Sequence, residues 1–322
     1  MKQFLYSVLS AAVAFAAIAG CKNKLAEPPE ESLYQTILSQ QNRGYSLFVR
    51  ALERTGQSTL LSNSPSVTAF VPHDSAFERA GFTEAVINSM DTTSLSVLIG
   101  YHLVGETVTP ANFTAGGRIE TRAGYYLYTN RNDGIYVNNI PVSANYLAAA
   151  NGVMLPLTSV LIPPQKRIYD VITADTTFSI FSAAVFRDSA RRILLKDTFN
   201  TGSQFTVFAP TNNAFRRIGI TDVTIRDTNL IKADSVSRMV RQHYVANATL
   251  MSHDFINGNM VKTGLDSTLV LVTATDSRFG ASAPAIRAVT RPDTTLYRLK
   301  TRDLITVNGI LHSIDSLMTR RR

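Results

Sequence analysis

Ten residues are written twice in this chain. Residues 68–77 read TAFVPHDSAF and residues 206–215 read TVFAPTNNAF, with identity at Thr68/Thr206, Phe70/Phe208, Pro72/Pro210, Ala76/Ala214 and Phe77/Phe215. A long-period repeat constrains architecture before any other feature, because each copy must supply one folding unit. The alignment extends well beyond the motif. SLYQTIL (32–38) faces RIYDVIT (167–173), and YSLFVRAL (45–52) faces FSIFSAAV (178–185). Downstream, LSVLIGYHLVGETV (95–108) faces SRMVRQHYVANAT (237–249), which pairs Tyr101-His102 with His243-Tyr244. NGVMLPLTSVL (151–161) closes the first copy and NGILHSIDSLM (308–318) the second. The landmarks recur in one order, which predicts tandem duplication of a domain of about 130–150 residues, an ordinary domain size.

Within the repeated stretch each residue type has a folding role. Val67 to Val71 and Phe205 to Ala209 are β-prone, and Pro72 and Pro210 end those strands because proline donates nothing to a ladder. His73-Asp74-Ser75 and Thr211-Asn212-Asn213 are rich in helix-capping types. Ser75 with Glu78 has the spacing of a capping box, and Asn213 keeps the cap alone. Phe77 and Phe215 are placed to tuck the short helix onto the core, and Gly81 and Gly219 to stop it. Tyr45, Phe48, Val49 and Leu52 form the apolar stripe of an amphipathic helix, mirrored by Phe178, Phe181 and Val185. YYLYT (125–129) and IYVNNIPV (135–142) predict a hairpin turning near 132–134. TLVLVTA (268–274) predicts a buried strand, and SRFGASAPAIR (277–287) a loop.

The motif, the YH segment and the closing Asn308-Gly309-Ile310-x-His312-x-Ile314-Asp315 together resemble the fasciclin domain family. The resemblance spans 32–164 and 165–322, with Thr68, Phe70, Pro72, Phe77, Thr206, Phe208, Pro210, Phe215, Asn308 and Gly309 as its structural residues. The second copy is the nearer match, since Leu155 stands where the family usually shows histidine. It implies an α+β fold, a wedge of β-strands decorated with several helices, and a role in adhesion. Binding near the YH region makes Tyr101, His102, His243 and Tyr244 candidate contact residues by the same resemblance; the alternative, favoured because nothing supplies either ring a partner charge, is a half-buried structural histidine bonded to backbone.

The N-terminus carries a separate message. Met1-Lys2-Gln3 precedes the apolar run of residues 4–20, short for a membrane span and typical of a secretory leader. It ends in Ile18-Ala19-Gly20-Cys21, which looks like a bacterial lipobox, and Cys21 is the only cysteine. The reading is a signal peptide over 1–20 with the lipobox at 18–21, a tether over 21–31, and lipidation at Cys21. With no second thiol the mature chain forms no internal disulfide, so packing must hold it together. By resemblance to lipoprotein sorting, Lys22 in place of aspartate favours the outer membrane.

Composition supports a sizeable core, with 45% apolar residues over 322 positions. The net charge of +8 is scattered rather than gathered on a basic stripe, which argues against nucleic acid as a partner. The five histidines show no HExxH or similar spacing, so no metal or other cofactor is expected. No nucleophile elbow or phosphate-binding loop occurs, and no enzyme activity is expected. Eleven of the sixteen aspartates precede Ser or Thr. Eight continue to a Thr or an aliphatic residue, a pattern similar to the O-glycosylation acceptor motif of Bacteroidetes envelope proteins; turns and caps explain it equally well. The functional expectation is an envelope lipoprotein binding surface glycan or protein through two fasciclin-like domains. The alternative is an accessory glycan-binding subunit of an outer-membrane polysaccharide-uptake system.

Overall fold

A computed structural model describes residues 29–132, 134–188, 204–255, 258–265, 268–274, 283–288 and 296–318. The expected leader, Cys21 and most of the expected tether lie outside these residues.

The first unit begins with three helices, α1 (Leu33–Ser39), α2 (Ser46–Arg54) and α3 (Gln57–Asn63). The repeated motif then folds as β1 (Val67–Pro72) and α4 (Asp74–Arg79), followed by α5 (Glu84–Ser89), α6 (Thr92–Gly100) and β2 (Leu103–Val104). A meander comes next, β3 (Gly117–Glu120), β4 (Tyr126–Asn130), β5 (Tyr136–Val137) and β6 (Ile140–Pro141). The unit closes with β7 (Leu147–Ala149) and β8 (Gly152–Leu157). The central sheet runs β2-β1-β8-β7, with β1 and β8 parallel from Val67↔Gly152 to Pro72↔Leu157.

The second unit repeats the plan with α7 (Ile168–Ala174), α8 (Ser179–Arg187), β9 (Phe205–Pro210), α9 (Asn212–Arg216), α10 (Ala233–Gln242) and β10 (Tyr244–Ala246). Its meander is β11 (Asn259–Lys262), β12 (Thr268–Ala274), β13 (Ala283–Ala288) and β14 (Leu296–Arg298), and β15 (Leu304–Thr306) and β16 (Gly309–Ile314) close it. The central sheet is β10-β9-β16-β15, again with a parallel β9–β16 pair.

Strand alternation divides each core in two. Val67, Ala69 and Val71 of β1 pack with Phe48, Leu52, Phe77 and Ile99 against the helices. Phe70 points the other way, to Tyr101, Leu127 and Leu155 under the meander. In β9, Phe205, Val207 and Ala209 take the helical side and Phe208 the meander side. A strand covered on both faces reads as an unbroken apolar run, which is why the motif looks as it does. Thr68 is the polar exception, and it is fully used: its hydroxyl donates to the Glu106 carbonyl and accepts the Val108 N–H, both at 2.7 Å. Thr206 does the same with Ala248 and Leu250.

Three local expectations are corrected. Neither Ser75 nor Asn213 caps the motif helix; the N-cap positions are His73, whose ring accepts the Ser75 N–H, and Thr211. Asp74 instead reaches across to α2, accepting the N–H groups of Ser46 (3.1 Å) and Leu47 (2.8 Å). Asn212 accepts the Ile180 N–H of α8 at 3.0 Å. Both target helices lack a capping side chain of their own. The loop expected over 277–287 is strand from Ala283 onward, because Ala283 to Ala288 pair antiparallel with β12, and that ladder overrides weak intrinsic preference; 277–282 lie outside the described residues. Finally, the meander turns a second time at Asn138-Asn139, both left-handed at φ 48° and 63°.

Candidate binding cleft between the two domains

The candidate contact residues of the YH segments lie inside the protein. Tyr101, His102 and His243 are fully buried, and Tyr244 nearly so. His102 donates from Nδ1 to the Leu98 carbonyl (2.8 Å) and accepts the Leu161 N–H at Nε2 (3.0 Å). His243 donates to Met239 (2.6 Å) and accepts from Met318 (3.0 Å). A carbonyl can only accept, so both rings are neutral Nδ1–H tautomers. Burial pushes each pKa down to about 4. Tyr101 donates to the Tyr126 carbonyl and accepts from the Asn138 amide, and burial raises its pKa. The expectation that these side chains form a contact surface is therefore corrected: His102 and His243 spend both ring nitrogens tying α6 and α10 to the closing segments, and Tyr101 spends its hydroxyl on the meander.

The remaining family positions also have structural partners. Asn151 accepts the Leu33 N–H and donates to the Leu61 and Ser64 carbonyls, which fixes the start of α1. Asn308 accepts the Ile168 N–H at the same place in the second domain. A Cβ on Gly152 would overlap the Val67 carbonyl oxygen, and one on Gly309 the Phe205 carbonyl oxygen. Gly309 also has φ +138°, which side chains rarely adopt.

What the repeat did not announce is a junction between its two copies. On β3 and β4, Ile119 and Leu127 face the inner core. The alternate residues Arg118, Tyr126, Tyr128 and Asn130 therefore face outward. Tyr128 is nevertheless only 3% exposed, because the second domain covers it. It packs with Met251 and Ile310 and donates its phenol to Gln204 at 2.6 Å. Asn130 donates its amide to Asp254 Oδ1 (2.6 Å), which also accepts the Gly116 N–H (2.8 Å). Asp254 Oδ2 accepts the Met251 N–H (2.8 Å). Burial raises the Asp254 pKa, against the pull of these three donors. Tyr136 stacks on His253 with ring centres 4.0 Å apart.

The family's closing histidine holds the loop that makes these contacts. His312 is fully buried and stacked on Phe208; it donates Nε2–H to the Leu250 carbonyl (2.7 Å) and accepts the Asp303 N–H at Nδ1 (3.1 Å). Burial lowers its pKa, opposed by the nearby Asp303 charge. Asp303 in turn grips the Ser252 N–H at 2.6 Å and the Ser252 hydroxyl. Residues 250–254 are thus pinned from behind and present His253 and Asp254 to the first domain. Leu155 occupies the matching register in the first domain, opposite Phe70 as His312 is opposite Phe208.

Beside the junction a cleft of about 470 Å³ opens between the domains. Gly116 and Arg118 line it from the first domain, and Gln204, Asn247, Thr249 and Leu250 from the second. The Arg118 guanidinium lies over the Tyr126 ring, 4.8 Å from its centre. Among the described residues, no group of three or more His, Cys, Asp or Glu could hold a metal ion, and no helix is long and apolar enough to cross a membrane.

The fold and junction define a paired-domain scaffold whose buried histidines are committed to structure. The fasciclin domain family matches residues 43–163 and 181–320, and the chain belongs to that family. Transforming growth factor-beta-induced protein ig-h3 of Sus scrofa is 23% identical over 284 residues, covering 84% of this chain and 35% of that protein. Periostin of Homo sapiens is 25% identical over 201 residues, covering 58% and 21%. Stabilin-2 of Mus musculus is 29% identical over 150 residues, covering 44% and 6%. This chain thus spans about a third or less of those relatives. Among solved structures, the FAS1 domain pair of the insect cell adhesion molecule fasciclin I aligns with a TM-score of 0.41 and 16% identity, covering 87% of this chain and 98% of that one.

Proposed function

We propose that this protein is an extracytoplasmic binding protein, anchored through lipid on Cys21, that attaches to a surface glycan or protein with its two fasciclin domains. The junction carries the reading. Four hydrogen bonds, an aromatic stack and a shared apolar cluster join the domains into one surface with a cleft at the seam. Binding scaffolds work through such preorganised surfaces, which reduce the ordering cost of association. The chemistry of the described interior agrees with binding rather than catalysis, since His102, His243 and His312 each spend both ring nitrogens on main-chain groups. The lipobox-like block and Lys22 support anchoring at the outer membrane.

A glycan array and a pull-down from the native cell surface, both with the mature chain, test the binding reading; absence of any partner in both rejects it. Membrane fractionation of Cys21→Ser tests the anchor, with release from the membrane fraction expected. Intact mass from the native host decides whether Asp-Ser and Asp-Thr sites carry sugar. Asp91 and Asp175 already serve as helix caps, accepting the N–H groups of Ser94 and Thr177.

A further inference from the structure

Arg118 has no carboxylate partner among the described residues, yet its guanidinium is held in place over Tyr126 at the mouth of the interdomain cleft. Arginine flattened on an aromatic ring keeps its in-plane N–H fork available for a planar or tetrahedral anion, at reduced entropic cost. Across the cleft, Gln204 is 5% exposed and lends its carbonyl oxygen to Tyr128. Its amide nitrogen has no hydrogen-bond partner among the described residues, although it belongs to a residue lining the cleft. The amide is not one of the buried polar atoms left without a partner, so it meets solvent in the cleft and is available to a ligand's acceptor there. Between them run Asn247, left-handed at φ 56°, and the Thr249 hydroxyl, two further neutral hydrogen-bonding groups.

We propose that this cleft binds an acidic saccharide, with Arg118 taking the carboxylate or sulfate and Gln204, Asn247 and Thr249 reading ring hydroxyls. The inference deepens the binding reading above and rests on it. One cation accompanied by several neutral donors and acceptors matches one anionic group on a hydroxyl-rich ring. A volume of about 470 Å³ lies in the usual range for compact ligands, about 300–1,000 Å³. A peptide carrying an acidic side chain satisfies Arg118 but leaves the neutral groups without hydroxyls to read, so the saccharide is favoured.

Calorimetric titration of the full mature chain with a diuronate, the neutral disaccharide of the same linkage, a sulfated disaccharide and a glutamate dipeptide tests this. The diuronate or the sulfated sugar is expected to bind at least about tenfold more tightly than the neutral sugar, the two arms separating carboxylate from sulfate. Arg118→Gln should erase that preference without moving the melting temperature, and Arg118→Lys should retain part of it. Gln204→Glu, which keeps the acceptor for Tyr128 and replaces the free donor, should weaken the acidic sugar further by repulsion. Equal binding of acidic and neutral sugars, no binding of either, or a dipeptide bound as tightly as the diuronate each overturns the proposal. If cell-surface attachment persists in Arg118→Gln while the titrations fail, the cleft is lost as a site and the broader binding reading stands.

Discussion

His102 and His243 make the same two hydrogen bonds in the two domains, one back to the carbonyl four residues earlier and one to an N–H of the closing segment. Each ring therefore ties the helix before the second strand to the end of its own domain. Phe48 and Phe181 meet the two rings edge-on, both at 5.9 Å between centres. Protonation at Nε2 would set a new N–H against the Leu161 or Met318 N–H, so the fold accepts only the neutral form.

A pH dependence follows from that selectivity. Each histidine has its ordinary pKa of 6.5 in the unfolded chain and about 4 in the folded one. Above pH 6.5 neither state binds the proton and stability is full. As pH falls from 6.5 toward 4 the unfolded chain takes up protons that the folded chain refuses, and stability drops by up to about 3 kcal/mol per ring. Urea titrations between pH 7 and 4 should show this slope, made shallower but not abolished in His102→Gln, because His243 and His312 still resist the proton. A flat profile contradicts the burial argument.

The two closing glycines give a sharper mutational test. Gly152→Ala and Gly309→Ala each drive a methyl into a main-chain carbonyl of the central parallel pair, where no flexible side chain can yield. Overpacking of this kind costs about 1–3 kcal/mol. Gly309 adds backbone strain of about 1–3 kcal/mol at φ +138°. Gly309→Ala should therefore lower the melting temperature more than Gly152→Ala, which meets the carbonyl alone, or Gly81→Ala, whose Cβ meets open space and is opposed only by the left-handed backbone at φ +83°.

Much of the fold is legible in the repeat because local chemistry repeats with it: apolar strand, proline stop, short helix, left-handed glycine. The α+β class and the pairing of Asn151 with Asn308 come from that order. The destination of long-range hydrogen bonds is not written locally. Asp74 looks like a cap for its own helix and caps α2 instead, 28 residues earlier. The YH residues look polar enough to be exposed, yet only their partners in the closing segments, 59 and 75 residues away, decide their burial. The junction was hidden for a related reason: Asp254 and Asn130 lie 124 residues apart, and neither belongs to a repeated motif. One signal was available. In YYLYT the outward positions Tyr126 and Tyr128 are large and aromatic, unusual for a face left to water.

The remote cap predicts an ordered pair of variants. Asp74→Ala removes the acceptor for two N–H groups and the Ser46 hydroxyl at the start of α2, and caps are typically worth about 1 kcal/mol. Asp74→Asn, which writes into the first domain the residue found in the second, should cost less than half as much. Asn212→Ala should lose about the same as Asp74→Ala, since Ile180 keeps no other capping side chain. Chemical denaturation of the three variants checks the order.

The junction predicts coupling between the domains that hinges on one carboxylate. Asp254→Ala strips the acceptor from the Gly116 N–H, the Asn130 amide and the Met251 N–H at once. Buried donors without partners cost about 1–3 kcal/mol each, and undocking the domains lets water satisfy all three. The cheaper outcome is therefore separation at the seam rather than unfolding of either domain. Calorimetry should show one thermal transition in the parent chain resolving into two in Asp254→Ala, with faster proteolysis in the segment around the exposed Ile162. Asp254→Asn should fall between, since Oδ1 still accepts from the first domain while its amide opposes the Met251 N–H. Tyr136→Ala removes the stack on His253 but leaves the carboxylate network whole. It should loosen the seam less than Asp254→Ala, and the reverse order would place the coupling in the aromatic contact instead.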